Sequence, residues 1–321
     1  MKISVCVISF NQEQYIEQCI SSLIEQDTYG EFEIEFVICD DSSTDNTWSI
    51  IERFSKKDKR IKSFRHTENQ GMMKNLSFAL SQCSGKYIAL CEGDDFWLVK
   101  NKLYMQWKAL DENKDCGLVI TPSYECNNAG VTKNILFYKG AEKKEFDLSD
   151  ILNHSGQFAP TASYMFSRDV VELLPVWFDS ATVGDLFIEV YSSLRGACLY
   201  LPVVTCCYRT QSLGSWSYMT RQFNYQKNLT RAENLFNDLK KSQSDFQSRK
   251  QLFEKKISES LVAQAESHLM LGNNKNFKRL ILISKKKYFP TSRTHSLLYY
   301  LKTFPTMAKL LVSLKNKVLL R

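Results

Sequence analysis

The sequence predicts an α/β protein in which helices cover both faces of a mostly parallel sheet, followed by a helical C-terminal extension. Up to about residue 120, short apolar runs alternate with segments of helical spacing, which is the rhythm of βαβ units. After Gly214 only one further glycine occurs, and apolar residues keep a helical spacing. With 44% apolar and 24% charged residues, the chain has the composition of an ordinary globular protein.

The elements of the first 120 residues follow in order from local patterns. Short apolar runs predict strands, and apolar residues three or four positions apart, such as Ile16, Ile20 and Leu23, predict helices. Asp45 or Asn46 is the expected N-cap of the second helix. The predicted strands are 3–10, 36–39, 61–64 and 87–91, and the predicted helices are 14–26, 47–54 and 72–82. Ligands of such sheets bind beyond the carboxyl ends of the strands.

The chain from residue 116 to residue 214 is less regular and contains four of the six prolines. Its strand-like segments are 117–121, 163–166 and 198–208, and a helix beginning near Asp185 is expected between the last two. Because the character of the sequence changes after Gly214, we expect a boundary near residue 220. Residues 1–220 would then form the α/β domain and residues 221–321 an α-helical region.

Composition and residue spacing exclude several other classes of protein. No apolar run reaches the roughly 20 residues that cross a bilayer, and the short run 3–10 is expected to be a buried strand rather than a signal peptide. The ten cysteines include no C-x-x-C pair, so we expect free buried thiols of a reducing cytoplasm. The four histidines are scattered, which makes a structural zinc site improbable.

Polar residues follow three of the predicted strands, as Ser9-Phe10-Asn11, Asp40-Asp41 and Glu92-Gly93-Asp94-Asp95. Adjacent carboxylates repel each other unless a cation or hydrogen-bond donors compensate, and Mg²⁺ or Mn²⁺ is typically bound by one or two carboxylates together with substrate phosphates. A turn explains the composition of the third segment equally well. For the second segment, the alternatives are helix capping and a carboxylate that accepts the imide N–H of a uracil-type base.

Four short motifs occur in order: V-I-S-F-N at 7–11, V-I-C-D-D-S-S-T-D at 37–45, N-Q-G-x-x-K-N at 69–75 and G-K-Y-I-A-L-C-E-G-D-D at 85–95. Together they resemble the family 2 inverting nucleotide-sugar glycosyltransferases of GT-A (Rossmann-like) fold. Gly184-Asp185, Tyr208-Arg209 and Gly214-Ser215-Trp216-Ser217 extend the resemblance over about two-thirds of the chain. The resemblance implies a donor-binding half at 1–120 and an acceptor half at 121–220.

The resemblance also implies roles for individual residues on the donor side. Ser9, Phe10 and Asn11 would line the base and ribose end of the donor, which is expected to be a UDP-sugar. Asp41, or alternatively Asp40, would bind the base, Asp94 the ribose and Asp95 a divalent cation, Mn²⁺ or Mg²⁺. Lys74 and Asn75 would also contact the donor. Lys74 replaces the arginine that is common in the family, so a bidentate contact is lost. Glu92 stands where many members have an aspartate.

The second half supplies the remaining predicted site residues. A carboxylate must take the proton of the acceptor hydroxyl, and the resemblance implies Asp185, with an N-cap as the alternative role and Glu189 as the second candidate. Arg209 would contact the diphosphate and Trp216 a sugar ring. Many relatives have a histidine two residues after the Tyr-Arg pair, whereas Gln211 stands here.

Three functions remain in competition. A metal-dependent glycosyltransferase that acts on a glycan or lipid-linked acceptor in surface polysaccharide synthesis is favoured. A nucleotidyltransferase would carry a glycine-rich basic loop after the first strand, where this chain has Asn11-Gln12-Glu13-Gln14. A catalytically idle glycan-binding relative is disfavoured because the acidic residues of the motifs are intact.

The C-terminal segment is strongly basic, with eleven Lys/Arg and no Asp/Glu over residues 276–321. Within 306–321, one helical face would carry Met307, Leu310, Leu311, Leu314 and Val318. This pattern is typical of a helix on an anionic membrane surface, and a helix packed on its own domain is the equal alternative. We therefore expect a cytoplasmic protein, with the inner face of the plasma membrane as its possible site. Nucleic acid is not an expected partner, because no binding module accompanies the charge.

Overall fold

Buried apolar runs form an eight-stranded central sheet in the computed structural model of the chain, which describes residues 1–127, 130–210, 212, 224–288 and 292–319. The strands of this sheet are β1 (Lys2–Ser9), β2 (Glu33–Asp40), β3 (Ile61–Arg65), β4 (Tyr87–Glu92), β6 (Cys116–Ile120), β9 (Lys144–Phe146), β10 (Met165–Ser167) and β11 (Ala197–Tyr200). Their order in space is β3-β2-β1-β4-β10-β6-β11-β9. A second sheet contains, in spatial order, β5 (Phe96–Trp97), β12 (Cys206–Arg209), β7 (Ser123–Asn127) and β8 (Gly130–Leu136).

Strand β1 lies between β2 and β4 and is parallel to both, so the carboxyl ends of the three strands meet at one edge. Ser9 is opposite Asp40, and Ile8 is opposite Glu92. Strand β10 runs antiparallel to β4 and β6, and β9 runs antiparallel to β11. Nearly all residues of β1, β2 and β4 are buried, as in a sheet covered on both faces. The predicted α/β fold with a mostly parallel sheet is confirmed.

The helices of the first part of the chain are α1 (Ile16–Ile24), α2 (Thr47–Lys57), α3 (Met72–Gln82), α4 (Lys102–Glu112), α5 (Leu148–Asn153), α6 (Asp169–Leu173) and α7 (Gly184–Ser192). Short 3-10 turns occupy Thr161–Ser163 and Val176–Ser180. The apolar residues that predicted α1 are buried against the sheet, with Ile16 and Leu23 at 0% exposure. Helix α3 has the predicted bounds, whereas α2 continues one turn beyond its predicted end.

The segment 198–208, predicted as one strand-like piece, contains two strands that belong to different sheets. Strand β11 ends at Tyr200 and β12 begins at Cys206. Pro202 lies between them and has no backbone N–H to offer a ladder. The chain leaves the central sheet there and pairs next with β5 and β7. This change of sheet brings Arg209 toward the acidic residues that follow β4.

The chain divides into two compact units, Met1–Tyr218 and Met219–Arg321. The helices of the second unit are α8 (Tyr225–Asp245), α9 (Glu254–Met270), α10 (Asn274–Lys287), α11 (Arg293–Tyr300) and α12 (Pro305–Leu319), with 3-10 turns at Gln247–Phe253 and Leu301–Thr303. Its buried residues include Phe253, Ile257 and Leu269, which keep the helical spacing seen in the sequence. Among the described residues, the helices are too short or too polar to cross a membrane.

The last helix, α12, packs through a face other than the predicted apolar one. Ala308 and Val312 are buried, and Lys315 forms an ion pair of 2.8 Å with Glu266 of α9. The side chains of the predicted face are instead exposed at Met307, Leu310 and Leu314, while Leu311 is intermediate. The side chain of Val318 lies outside the described residues. The helix is therefore packed on its own unit, and it also keeps an exposed apolar face.

All ten cysteines are free and buried, as predicted. They fill strand interiors and helix faces as small apolar residues, which is the usual environment of a free thiol. Burial raises the pKa values of the Cys39 and Cys206 thiols, both to about 12. These thiols therefore stay protonated and act in packing.

Candidate active site

The loops that follow β1 and β2 are joined by backbone and side-chain hydrogen bonds. Asn11 has a positive φ of 51°, and its Oδ1 accepts the backbone N–H of Thr44 at 2.8 Å. The N–H of Gln12 donates to Thr47 Oγ1 at 2.7 Å. Asn46 occupies the N-cap position of α2 without a side-chain cap bond, and Asp45 Oδ1 accepts the Thr47 N–H at 2.9 Å instead. The two strand ends thus form one rigid edge.

The two carboxylates at the end of β2 have different environments. Asp40 is fully buried, its Oδ2 accepts the Ser43 N–H at 3.0 Å, and Arg65 Nε lies 3.4 Å from the same oxygen. Its Oδ1 accepts two further bonds, from the Ser43 hydroxyl and, at 3.5 Å, from Ser9 Oγ. Both oxygens of Asp40 are therefore engaged twice.

Asp41 has fewer partners. Its Oδ1 accepts the backbone N–H of Gln70 at 2.8 Å, and its Oδ2 accepts that of Gly71 at 2.9 Å. Because each carboxylate oxygen can accept about two bonds, Asp41 retains acceptor capacity that Asp40 has used. The contacts also hold the loop before α3, in which Gly71 adopts a φ of +88° that favours glycine.

The predicted pair on α3 separates into an exposed and a buried residue. Lys74 is exposed in the first turn of the helix. Asn75 is 2% exposed, donates to the Cys39 carbonyl at 3.1 Å, and lies 3.2 Å from His66 Nε2. Its amide is therefore used inside the protein to hold α3 against β2. Phe10 is 44% exposed at the same sheet edge.

Asp94 and Asp95 are buried, at 6% and 1% exposure. Residues of β12 and Ser212 cover the pair. The backbone N–H of Arg209 donates to Asp95 Oδ1 at 2.8 Å. The hydroxyl of Ser212 donates to Asp94 Oδ2 at 2.5 Å. Ser212 is a site residue that the sequence motifs did not single out.

The buried acidic groups raise one another's pKa values. Burial raises the pKa of Asp95 well above its usual range, and the charges of Asp94 and Glu92 add to this, while the Arg209 N–H opposes it. Burial also raises the pKa of Asp94, against the hydrogen bond from Ser212. The pKa of Glu92 rises to about 8 because of burial and the charges of Asp94 and Asp185. A cation would relieve this concentration of negative charge.

Two polar atoms at this strand end, Asp95 Oδ2 and Gln12 Oε1, are buried and have no hydrogen-bond partner among the residues that the structure describes. Buried polar atoms are nearly always paired in folded proteins, and a ligand or a solvent molecule at this strand end would satisfy both atoms. A Cβ at Gly93 would overlap Gln12 Oε1, so the end of the Gln12 side chain lies directly against the backbone after β4. Gln12 was not predicted as a site residue, because its signal is a packing contact.

These features fit a divalent cation that is shared with a phosphate-bearing substrate. Across the described residues, no group of three or more His, Cys, Asp and Glu side chains is arranged to hold a metal ion. A cation of this kind needs only one or two carboxylates when substrate phosphates supply further oxygens. Asp95 meets this requirement through its unpaired oxygen.

Asp185 lies in the first turn of α7, and Val183 occupies the N-cap position. The N-cap alternative for Asp185 is therefore wrong, although its Oδ1 does accept the N–H of Leu186 at 2.8 Å. Its charge contributes to the raised pKa of Glu92, so the structure brings it near the acidic residues after β4. Glu189 is 2% exposed and accepts a hydrogen bond from the Tyr164 hydroxyl.

The side chain of Arg209 points toward α1. Its guanidinium lies 4.7 Å from the centre of the Tyr15 ring and 5.1 Å from that of Phe96, and it donates to Gln18. Among the described residues, the Nε of Arg209 has no hydrogen-bond partner, although it is buried. The charge of Arg209 opposes the rise that burial causes in the pKa of Asp94. The predicted sugar contact Trp216 lies outside the described residues.

The family to which the chain belongs follows from comparison with known proteins. A family model described as Glycosyl transferase family 2 matches residues 4–174, more than half of the chain. The chain therefore belongs to this family, and the resemblance predicted from the sequence is confirmed. An uncharacterized protein of Mycobacterium tuberculosis is 29% identical over 227 residues, which cover 66% of this chain and 60% of that protein.

A second relative has a named activity. WfgD of Escherichia coli, a UDP-Glc:α-D-GlcNAc-diphosphoundecaprenol β-1,3-glucosyltransferase, is 37% identical over 111 residues, which cover 35% of this chain and 42% of WfgD. The chain thus spans less than two-thirds of the length of these curated relatives.

Solved structures share the fold at low sequence identity. Residues 1–349 of Staphylococcus aureus TarS in complex with UDP-GlcNAc match with a TM-score of 0.57 and 20% identity, covering 94% of this chain and 92% of that one. The mannosyltransferase PcManGT of Pyrobaculum calidifontis, in complex with GDP-Man and Mn²⁺, matches with a TM-score of 0.55 and 16% identity, covering 98% and 86%. The GT-A fold predicted from the sequence is confirmed.

Proposed function

We propose that the chain is an inverting glycosyltransferase that moves a sugar from a nucleotide-sugar, with a UDP-sugar favoured, to a glycan or lipid-linked acceptor of a surface polysaccharide. The observation that supports this most strongly is the buried pair Asp94 and Asp95 at the sheet edge, where Asp95 Oδ2 has no hydrogen-bond partner in the described part of the chain. In a family 2 member, this is the place for a donor diphosphate and its cation.

The donor would lie along the carboxyl ends of β1, β2 and β4. Asp41 is favoured over Asp40 for the base because it retains acceptor capacity. Asp94 would bind the ribose, and Ser9, Phe10, Asn11 and Lys74 would line the base end. The choice of a UDP-sugar is supported by the UDP-Glc of WfgD and the UDP-GlcNAc of the TarS complex.

Asp95 would hold a divalent cation, Mn²⁺ or Mg²⁺, which when bound offsets the charge that develops on the leaving diphosphate. The Mn²⁺ of the PcManGT complex supports this assignment. The Arg209 N–H fixes the orientation of the Asp95 carboxylate through Oδ1, so that Oδ2 is the oxygen left for a ligand. Gln12 adds a second unpaired oxygen near the same strand end.

Asp185 would take the proton from the acceptor hydroxyl as that oxygen attacks the anomeric carbon and the nucleoside diphosphate leaves from the opposite face. It is half-buried and therefore open to an acceptor. Glu189 is buried and engaged by Tyr164, which makes it a poor proton acceptor for a substrate. The structure thus favours Asp185 over Glu189 as the base.

The acceptor is proposed to be attached to lipid, as the diphosphoundecaprenol acceptor of WfgD is. We accordingly propose that the protein works at the surface of a membrane, on the cytoplasmic side of the plasma membrane where nucleotide-sugars are available.

Thermal unfolding in the presence of nucleotides tests the proposed donor and cation. A ligand that binds only the folded state at 100 times its Kd stabilises the protein by about 2.7 kcal/mol. We expect UDP and UDP-sugars with Mn²⁺ to raise the melting temperature, and GDP- and dTDP-sugars to do so less. For the aspartate-to-asparagine substitutions at the site, the matched control is Asp111→Asn, which changes an exposed aspartate of α4.

The outcomes of this experiment separate the possibilities. A shift with GDP-sugars alone would keep the reaction class and replace the donor. No shift with any nucleotide, in protein that unfolds cooperatively, would contradict the proposed function. A shift that is the same with and without Mn²⁺ would remove the cation from the proposal.

A further inference from the structure

The exposed apolar side chains of the second unit are concentrated at its C-terminal end. They are Leu297 (48% exposed), Tyr300 (67%), Phe304 (59%), Met307 (59%), Leu310 (63%) and Leu314 (53%). We call these six residues the apolar strip. In the described part of the second unit, Leu271 is the other large apolar residue that is exposed. The six belong to α11, the turn after it and α12.

The helices that carry the apolar strip are anchored through their other faces. On α11, His295 and Leu298 are buried, and on α12 Ala308 and Val312 are buried. The exposed residues of α12 follow one another at spacings of three and four, so they share one side of the helix. Both helices are therefore packed on the second unit, and the side chains of the apolar strip lie on surfaces that this packing leaves exposed.

The surroundings of the apolar strip are positively charged. Residues 267–321 contain twelve Lys/Arg and no Asp/Glu. The ammonium group of Lys285 lies 4.4 Å from the centre of the Tyr299 ring and 4.9 Å from that of Tyr300, and that of Lys302 lies 4.0 Å from the Tyr299 ring. Aromatic rings and lysines in contact place positive charge directly beside the apolar surface.

We propose that the apolar strip lies on the surface of a bilayer that contains anionic lipid, with its side chains among the acyl chains and the flanking lysines at the headgroups. Charge complementarity selects this occupant. Its surface must be apolar where it meets the six side chains of the strip and negatively charged where it meets the flanking lysines. The inference extends the proposed function by naming the surface at which the enzyme meets a lipid-linked acceptor. Lipid binding itself needs neither donor nor cation.

Co-sedimentation of the full chain with vesicles tests this inference. We expect binding to vesicles that contain phosphatidylglycerol, weakening with salt because lysine attraction is screened, and little binding to phosphatidylcholine alone. The double substitution Phe304→Ser and Leu310→Ser should weaken binding by about tenfold or more, since two apolar side chains lose their burial. Leu271→Ser, at the exposed leucine outside the strip, is the matched control and should bind like wild type.

Other outcomes would overturn the inference. It fails if the full chain ignores phosphatidylglycerol vesicles at low ionic strength, or if the double variant binds them as tightly as wild type. Light scattering tests whether a second copy of the chain covers the strip instead. If the wild type is an oligomer, the double variant is a monomer and the wild type does not bind lipid, the strip is assigned to self-association. Because the donor-induced melting shift is measured without lipid, failure of the proposed function is distinguishable from failure of this inference.

Discussion

Glu35 offers a direct test of how the strands that carry the site are held together. It lies on β2 with its side chain 4% exposed. Its Oε1 accepts the Ser4 hydroxyl and the Ser84 N–H, both at 2.6 Å, and its Oε2 lies 2.7 Å from Lys62 Nζ. The carboxylate thus joins β1, β2, β3 and the segment before β4.

These contacts determine the pKa of Glu35. Burial raises it, but the hydrogen bonds from Lys62, Ser4 and Ser84 outweigh burial and lower the pKa from 4.5 to about 2. Because the folded-state pKa is depressed, the carboxylate stabilises the fold above pH 4.5, and this contribution is lost as the pH falls toward 2. At about 1.4 kcal/mol per pKa unit, the contribution is about 3 kcal/mol, and solvent around the half-exposed Lys62 reduces it toward about 2 kcal/mol.

We therefore expect Glu35→Gln to lower the free energy of unfolding by about 2–3 kcal/mol at pH 7, and by progressively less between pH 4.5 and pH 3. Urea unfolding at several pH values measures this difference. Glu33→Gln, at an exposed position of the same strand, is the matched control and should change stability little. Equal destabilisation by the two substitutions, or a Glu35→Gln effect that does not change with pH, would refute the reasoning.

Three further predictions concern the site. Asp95→Asn keeps the acceptor for the Arg209 N–H and removes a buried charge, so the ligand-free protein should be at least as stable as wild type. The Mn²⁺-dependent melting shift with UDP should disappear, and its persistence would contradict the assignment. Asp185→Asn should slow transfer by roughly 10²–10⁴-fold with UDP affinity unchanged in calorimetry, whereas near-normal turnover would make Asp185 structural. Because the pKa of Glu92 is raised to about 8, the contribution of this carboxyl group to stability falls between pH 4.5 and pH 8. Glu92→Gln in metal-free buffer should therefore be the more stable form at pH 8 but not at pH 4.5, and urea unfolding that shows a constant difference would argue against this shift.

The strands and helices of the first hundred residues could be predicted from the sequence because each has a clear period of its own. Strand β4 and helix α3, for example, were predicted to within a residue at each end. The hairpin of β7 and β8 was not, because most of β8 is exposed and polar, so hydrophobic alternation is weak there. Its pairing depends on contacts with β12, which is about 80 residues away in the chain.

Helix α4 shows a second limit of sequence-based prediction. Its first residue, Lys102, is fully buried, with Nζ 2.7 Å from Gln106 Oε1 and 4.0 Å from the centre of the Trp97 ring. Burial lowers the pKa of this lysine to about 8. A lysine and a glutamine in a sequence predict an exposed face, so the pattern of α4 does not separate its buried side from its exposed side.

The predicted site residues illustrate the same distinction between motif and geometry. The motifs placed Asp41, Asp94 and Asp95 at one edge of the sheet, and the structure brings them there. They did not show that the Asn75 side chain would donate to the Cys39 carbonyl inside the protein, or that Ser212 would donate to Asp94. Both facts depend on tertiary packing between segments that are far apart in the chain.

The unpaired atoms at the site separate a structural role from a functional one. At the opposite end of the sheet, Glu35 is a buried carboxylate whose two oxygens are both satisfied by the protein, as expected of a residue that stabilises a fold. Asp95 is as deeply buried, yet within residues 1–127, 130–210, 212, 224–288 and 292–319 only its Oδ1 has a partner. Its neighbours Asp94 and Glu92 make its charge more costly. A fold gains nothing from a buried carboxylate in this state. Under the proposed function a cation and a donor would complete this arrangement, and for this reason the sheet edge with Asp95 is the place to look for chemistry.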